Sequence, residues 1–176
     1  MRESVTPGKI RKFMTRVSDA ARGPARIYLT GGGTAVLTGW RKSTDDIDIK
    51  VVPDRDEIFR ALPALKDDLS LNVELASPDQ FIPALPGWET RSLFIERVGT
   101  VDWYHYDPYS QALAKIERNH ERDQLDVAEM FKRGMVEPMT LRELFNRIKP
   151  ELHRYPALNP AAFERRLTTV LESIAH

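Results

Sequence analysis

The sequence predicts an α+β fold: a small mixed β-sheet flanked by helices, followed by a helical C-terminal part. Three observations predict it. Segments with β-type alternation, of which DIDIKVV is the clearest, all lie before Asp107. Apolar residues at helical spacing occupy the N-terminus and most of the chain after Asp107. The 176 residues, 41% of them apolar, are enough for one domain or for a core with a helical appendage.

The first half of the chain alternates helices and strands. Helical spacing predicts a first helix at about residues 8–21, and the apolar segment ARIYLT predicts a strand that ends at Gly31. A helix is expected directly after the glycines, and DIDIKVV, which Pro53 ends, is the second strand. Asp54 and Glu57 have the spacing of a capping box for a third helix, running to about Asp68.

The second half ends in helices. LNVELA, SLFIERVG and TVDWYHY read as strands, and the proline-rich segment after LNVELA reads as an irregular loop. Asp107-Pro108 predicts the start of a helix that runs to about Arg133, with a break near His120. A capping box at Thr140 and Glu143 predicts a further helix, and Asn159-Pro160 the last one. On the last helix, an apolar side is expected at Phe163, Leu167, Val170, Leu171 and Ile174.

Composition excludes several classes of protein. The formal net charge is zero, which argues against a global electrostatic grip on nucleic acid. The absence of cysteine excludes disulfides, thiol catalysis and cysteine-based zinc sites. No apolar run reaches the length of a membrane span, and the N-terminus lacks the apolar core of a signal peptide. A cytoplasmic protein is therefore expected.

Two acids stand inside the second predicted strand. Residues two apart on a strand point the same way, so Asp46 and Asp48 place two carboxylates side by side, roughly 6–7 Å apart at the backbone. Such anions repel unless a cation lies between them, and Mg²⁺ prefers carboxylate oxygen. The alternative is that both acids simply lie on a solvent-facing side of the strand.

A run of three glycines precedes these acids. A glycine turn lets the backbone approach a ligand closely, and the following helix directs free N–H groups at anions. The run is not a mononucleotide P-loop, because five residues separate Gly33 from Gly39 and Trp40 follows. It is not a dinucleotide fingerprint, because Val36 stands at the sixth position counted from Gly31. Together, turn and acids predict a phosphate cradle beside a metal clamp.

The order Gly32-Gly33-Thr34, short helix, Thr44-x-Asp46-x-Asp48 resembles the signature of the DNA polymerase β-like nucleotidyltransferase superfamily. Within it, the chain is most similar to small bacterial stand-alone members, including the toxin-like AbiEii group. A later helical block of that group, KxxR followed by DxxD, is similar to Lys115–Arg118 and Asp123–Asp126. The resemblance covers about residues 26–135 and implies a small nucleotidyltransferase core.

The resemblance implies a metal site and a nucleotide site. Mg²⁺, as one or two ions with Mn²⁺ as a substitute, would be held by Asp46, Asp48 and a third carboxylate on a neighbouring strand. Glu74 is the candidate for this third acid, and Asp102 is its competitor. The residues implied to bind nucleotide or phosphate are Gly32, Gly33, Thr34, Thr44, Lys115 and Arg118. Asp123 and Asp126 have an alternative structural role, in which they brace Lys115 or Arg118.

The resemblance further implies transfer of a nucleoside monophosphate from an NTP to an acceptor hydroxyl on an RNA or tRNA end or on a protein. A toxin-like role with a cognate antitoxin protein is part of this expectation. The alternatives are a catalytically silent member that binds protein or nucleic acid, and, less well matched in length, a glycosyltransferase. The predicted domains are a core at residues 1–135 and a helical extension, packed on it, at residues 136–176.

Overall fold

A computed structural model describes residues 2–175, so that Met1 and His176, the ends of the two predicted domains, lie outside the described part. The α+β prediction is confirmed: a five-stranded mixed sheet is flanked by helices, and the C-terminal part is helical. The chain forms two compact units. The first contains the chain up to Ser77 together with Ser92–Tyr106, and the second contains Pro78–Arg91 together with the chain from Asp107 onward. The predicted domain boundary after residue 135 stays a prediction, whereas the packing groups the helices after Asp107 together.

The first unit contains the sheet. In chain order its elements are α1 (Pro7–Ala20), β1 (Ala25–Thr30), α2 (Gly32–Thr38), β2 (Asp46–Val52), α3 (Asp56–Leu69), β3 (Asn72–Glu74), β4 (Leu93–Val98) and β5 (Val101–His105). The strand order is β3-β2-β1-β5-β4. β1 is antiparallel to β2 and parallel to β5, β2 is parallel to β3, and β4 is antiparallel to β5. In this order β2 lies between β3 and β1, and β1 is the strand that leads into the glycine run.

One side of the sheet carries the hydrophobic core of this unit. Ile47 and Ile49 of β2 are buried on that side, in one cluster with residues of α1 and α3. Trp103 of β5 is fully buried; its ring packs edge-on against Phe13 with centroids 6.2 Å apart, and its Nε1 donates to Ser18 Oγ at 2.9 Å. Because side chains alternate along a strand, the polar residues of β2 are directed to the opposite side.

The second unit is helical. The predicted loop after β3 contains a 3-10 turn (Pro78–Gln80) and a four-residue helix, α4 (Trp88–Arg91). Four helices follow: α5 (Pro108–Arg118), α6 (Glu121–Lys132), α7 (Pro138–Ile148) and, after a 3-10 segment (Lys149–Arg154), α8 (Pro160–Ile174). The predicted break near His120 is confirmed, and so is the start at Asp107, whose carboxylate accepts from Tyr109 N at 3.0 Å.

Two predicted capping boxes are wrong. α3 begins after Arg55 without a side-chain cap, and the Glu57 carboxylate instead accepts from the backbone N–H of Arg22 at 3.1 Å. α7 begins at Pro138 rather than after Thr140, because proline suits the first helical position, where its missing N–H costs no hydrogen bond. The sequence pattern identified both helices but not their first residues.

The candidate nucleotidyltransferase site

The glycine turn brings the backbone against the second acid of β2. Gly31 has φ +62°, a conformation that side chains with a Cβ rarely adopt. A Cβ added there would lie 3.1 Å from Asp48 Oδ2. β1 therefore ends, and α2 begins, in direct contact with the Asp48 carboxylate. The sequence reasoning singled out Gly32 and Gly33 and missed Gly31, although its place as the first glycine after a strand was a signal.

Gly32 is required for a different reason, namely the closeness of the Thr44 side chain. A Cβ there would lie 2.0 Å from Thr44 Oγ1 and 2.6 Å from Thr44 Cβ, far closer than van der Waals contact. Thr44 is buried, and its backbone pairs with that of Val5. Gly33 has ordinary space, since the nearest atom to an added Cβ is on Leu29 at 3.7 Å. Thr44 thus packs on the glycine turn, and its role in phosphate binding stays a prediction.

We expect Gly32→Ala to destabilise the protein more than Gly33→Ala. The added methyl group at residue 32 displaces either Thr44 or the start of α2, and overpacking of this kind costs about 1–3 kcal/mol. The Gly33→Ala variant is the matched control. Chemical denaturation of both variants measures the difference. Equal free energies of unfolding would contradict the close contact between Gly32 and Thr44.

The acids of β2 and β3 share one side of the sheet. Along β2 burial alternates, with Ile47 buried and Asp46 and Asp48 half-buried on the other side. In the parallel pairing of β2 with β3, Asp48 stands opposite Glu74. Neighbouring strands lie about 4.8 Å apart, and paired residues direct their side chains to the same side. The structure therefore brings Asp46, Asp48 and Glu74 together on adjacent strands.

Asn72 is a site residue that the sequence reasoning missed. It stands opposite Asp46 in the register of β2 and β3. Its Nδ2 donates to Asp46 Oδ1 at 2.5 Å and lies 3.4 Å from Glu74 Oε1. The amide thus bridges two of the three carboxylates and offsets their mutual repulsion. The alternation of asparagine, valine and glutamate in β3 was a signal, since residues two apart share a face.

Asp102, the competing third acid, lies elsewhere. Asp102 stands opposite Arg26 of β1, whereas Asp48 stands opposite Thr30 of the same strand. Arg26 and Thr30 are four residues apart, which along a strand is about 13 Å. Arg97 donates to both oxygens of Asp102, at 2.6 and 2.9 Å. This hydrogen bond, together with the charge of Arg97, holds the pKa of Asp102 below its usual value. The structure therefore places Glu74, and not Asp102, beside Asp48.

Thr34 lies beneath the glycine turn and is only 1% exposed. Its Oγ1 lies 3.4 Å from the carbonyl oxygen of Leu29 and 3.1 Å from His105 Nδ1. The hydroxyl group is therefore directed into the protein, between α2 and β5. Binding of phosphate by Thr34 stays a prediction, and in this position the backbone N–H is the group that the turn can offer.

His105 makes the stability of this region depend on pH. Burial lowers the pKa of His105 to about 4, against about 6.5 when it is unfolded. Between these values the unfolded chain binds the proton that the folded chain excludes, so stability falls as pH falls from about 6.5 and levels off below about 4. We expect a loss of about 3 kcal/mol over this range, the equivalent of the pKa difference.

The His105→Gln variant provides the comparison for this prediction, since glutamine keeps a polar partner for Thr34 and does not titrate. Urea denaturation at pH 7, 6, 5 and 4 measures both proteins. The difference between their free energies of unfolding should change across this range. A constant difference would show that His105 titrates normally in the folded protein.

Lys115 and Arg118 lie on α5 in the helical unit and form ion pairs with α6. Lys115 Nζ lies 2.8 Å from Asp126 and 3.6 Å from Asp123, with all three residues buried. Arg118 donates to both oxygens of Asp123, at 2.8 and 2.6 Å. We call these four residues the α5–α6 ion cluster. The cluster agrees with the bracing role considered for Asp123 and Asp126, and phosphate binding by Lys115 and Arg118 stays a prediction.

The pKa of Asp123 reflects this cluster. Burial on its own would raise it, but the hydrogen bond from Arg118 and the charges of Lys115 and Arg118 outweigh burial and lower the pKa. The carboxylate is therefore ionised at neutral pH. A buried lysine with two buried carboxylates is a strongly coupled arrangement, in which loss of one member leaves charge uncompensated.

The side chains on β2 and β3 offer the type of ligand atom that a hard divalent cation prefers. Asp46, Asp48 and Glu74 offer carboxylate oxygens, which Mg²⁺ prefers. In residues 2–175, however, no three His, Asp or Glu side chains converge closely enough to enclose a metal ion. Asn72 separates Asp46 from Glu74 in the arrangement that the structure describes. Holding an ion between all three acids thus requires these side chains to turn toward one another.

The fold and the site together define a nucleotidyltransferase-like protein: a glycine turn into a short helix, with paired acids on the adjacent strand of a mixed sheet. The model of a family described as "nucleotidyltransferase of unknown function (DUF6036)" matches residues 9–168. The chain belongs to this family. No curated protein and no solved structure matches the chain. The family supports nucleotidyl transfer in general, and membership of the AbiEii-like group stays a prediction.

Proposed function

We propose that this protein is a Mg²⁺-dependent enzyme that moves a nucleoside monophosphate from an NTP to an acceptor hydroxyl. The observation that carries the proposal is the register of β2 and β3, which sets Glu74 beside Asp48 on the side that also bears Asp46. A chain that needed only a packed core gains nothing from three carboxylates at adjacent positions, because they repel one another. A metal-dependent transferase requires such a set.

Asp46, Asp48 and Glu74 are the residues that would hold the ion. Bound there, Mg²⁺ would supply positive charge that neutralises the negative charge developing on the phosphates during transfer. The Asn72 amide, which donates to Asp46, would keep that carboxylate oriented. This donor set consists entirely of carboxylate oxygens, which matches Mg²⁺ or Mn²⁺ rather than a metal that prefers sulfur.

The glycine turn would bind the triphosphate. The first N–H groups of a helix are directed out of its N-terminus, and here they belong to Gly32, Gly33 and Thr34. Gly31, which directly precedes these groups, packs against the Asp48 carboxylate. Phosphate bound at the turn would therefore lie beside the metal ligands. Thr44 and the Thr34 hydroxyl support the turn from below.

In the transfer step, the acceptor hydroxyl oxygen attacks the α-phosphorus of the NTP and forms a new P–O bond. The bond from the α-phosphorus to the bridging oxygen breaks, and pyrophosphate leaves with the electron pair. Glu74 accepts the proton of the attacking hydroxyl. The acceptor is a hydroxyl of an RNA or tRNA end or of a protein, as the resemblance to stand-alone transferases implies.

Thermal unfolding with each NTP, with and without Mg²⁺, tests this function. A ligand at about 100 times its Kd adds about 2.7 kcal/mol of stability, which for a chain of this size raises Tm by roughly 5–10 °C. We expect this rise for at least one NTP with Mg²⁺ in the wild type, and its loss in Asp48→Ala. The neighbouring exposed acid gives the matched control, Asp45→Ala, which should respond as the wild type does. Absence of any nucleotide response would refute the proposal.

A silent binding protein is the second candidate, and one observation favours it. The Asn72 amide already compensates Asp46 and Glu74, so the acids do not need an ion in order to lie together. Such a protein would bind protein or nucleic acid and transfer nothing. Titration calorimetry with Mn²⁺ separates the candidates, because a silent member would show no heat of binding that depends on Asp46 and Asp48.

The toxin-like role is a finer proposal on the same site. It predicts that induced expression arrests bacterial growth, that Asp48→Ala relieves the arrest, and that a cognate antitoxin protein does so as well. The expected cytoplasmic location stays a prediction. Across residues 2–175, no helix combines the length and the apolar character needed to cross a membrane.

A further inference from the structure

The helical unit contains a groove between α6 and α8, with α5 as its floor. We call it the α6–α8 groove; its volume is about 650 Å³. Val127 and Phe131 line it from α6, and Arg166, Val170 and Ile174 line it from α8. Residues four apart lie above one another on a helix, so each wall is a continuous stripe. The groove is therefore built from two regular helix faces rather than from loops.

The α8 stripe is separate from the face of α8 that packs into the core of the helical unit. Phe163 and Leu167 form that core face, and the Phe163 ring packs edge-on against Phe145 at 5.0 Å. The sequence predicted one apolar side for α8, but Val170 is only half-buried and Ile174 is 38% exposed. α8 thus carries a second, partly apolar face that the described residues of its unit leave partly uncovered.

The length of the groove suits one additional helix. α6 and α8 each pack along α5, whereas in the described part of the chain they make little contact with each other. The α8 wall runs from Ala162 to Ile174, a rise of about 18 Å or three turns. An occupant of that length in helical form would complete a four-helix arrangement around α5.

The charge along the groove indicates which kind of helix it would bind. Arg165 is exposed and Arg166 donates to the backbone oxygen of Glu117. Within residues 2–175, neither arginine pairs with a carboxylate. Asp123, the acid that lines the groove, is already held by Lys115 and Arg118. The α8 edge therefore carries positive charge with which no carboxylate of residues 2–175 pairs.

We propose that the α6–α8 groove binds an acidic amphipathic helix of a partner protein. Its apolar residues, spaced three and four apart, would cover Val127, Phe131 and Val170, and its carboxylates would meet Arg165 and Arg166. Single-stranded nucleic acid fits less well, because base stacking needs several aromatic faces and Phe131 is the single aromatic side chain in the described lining. The proposal does not depend on nucleotide transfer.

Fluorescence anisotropy with the full chain tests this proposal. The probe is a labelled 16-residue helical peptide with leucine at positions i, i+3, i+4 and i+7 and glutamate on both flanks. A second peptide has lysine in place of every glutamate, and a labelled single-stranded RNA is the third probe. We expect the acidic peptide to bind at least tenfold more tightly than the lysine peptide.

Two variants locate the site. Val170→Asp should weaken binding of the acidic peptide at least tenfold, and Arg165→Glu should reduce or reverse the preference between the two peptides. Arg147→Glu makes the same charge change at an exposed arginine of α7 outside the groove and should change neither affinity. Because Arg165 is exposed, its substitution leaves the core intact even if Val170→Asp unfolds the protein.

Any one of the following results would overturn the proposal: no binding of the acidic peptide, equal binding of both peptides, or displacement of the acidic peptide by the RNA. An unchanged affinity in Arg165→Glu would also overturn it, because the charge argument rests on that side chain. Tight binding of the acidic peptide, with a preference over the lysine peptide that Arg165→Glu reduces or reverses and Arg147→Glu preserves, would support it.

Discussion

Glu74→Gln is expected to lower nucleotidyl transfer by 10²- to 10³-fold, the order of magnitude seen when one electrostatic partner of a reacting group is removed. Glutamine keeps the size and one oxygen of the side chain but loses the charge and the ability to accept the proton. Because Asp46 and Asp48 remain, binding of the NTP should weaken much less than transfer. Label moved from an α-³²P NTP to acid-insoluble RNA or protein measures transfer, and the thermal shift measures binding.

Asp102→Asn is the matched control for Glu74→Gln. Both substitutions remove one carboxylate charge from a strand of the same sheet, but Asp102 stands at the other end of the strands and is paired with Arg97. Transfer should stay at the wild-type level in this variant. The opposite pattern, with Asp102→Asn inactive and Glu74→Gln active, would show that the third acid has been misassigned.

Lys115→Met is expected to destabilise the protein by about 3–5 kcal/mol, the usual cost of breaking a buried ion pair by removing one partner. Methionine fills similar space, but it leaves buried Asp123 and Asp126 close together without the lysine charge. Denaturation with urea at pH 7 measures the loss. A small loss of stability accompanied by a large loss of NTP affinity would instead indicate that Lys115 serves the nucleotide.

Arg118→Met is the comparison within the α5–α6 ion cluster. The Arg118 side chain is 54% exposed, and Lys115 still faces Asp123 after the substitution, so we expect a loss of about 1 kcal/mol.

Part of the stability that the α5–α6 ion cluster contributes depends on pH. Because the pKa of Asp123 is lowered in the folded protein, its contribution is present above its unfolded pKa and is lost as pH falls through the folded pKa. Acid denaturation should therefore begin at higher pH in Arg118→Met than in the wild type.

The sequence predicted well those parts of the protein that local chemistry controls. β1 and β2 have the predicted limits, because ARIYLT is a compact apolar segment and DIDIKVV alternates strictly between core and polar residues. The helix starts at Pro108 and Pro160 were also predicted, since Asp107 and Asn159 cap them with their own side chains. In each of these cases the responsible residues lie within a few positions of one another.

Features that depend on distant residues could not be predicted in the same way. The contact of Gly32 with Thr44 and that of Gly31 with Asp48 require the fold, because nothing local fixes them. The neighbour of Asp48 is set by the pairing of β2 with β3, whose register no single segment determines. For this reason the sequence left Glu74 and Asp102 as alternatives, and the sheet order separates them.

β3 gives the candidate site a particular dynamic character. It has three residues and forms one edge of the sheet, so that Glu74 is held beside Asp48 by a very short ladder of hydrogen bonds. Short edge strands open locally at low free-energy cost, well below that of global unfolding. Fraying of β3 would disassemble the three-acid set while the rest of the sheet stays folded. The amide hydrogens of Asn72–Glu74 should thus exchange early in the free protein, and a ligand that joins β2 to β3 would slow them first.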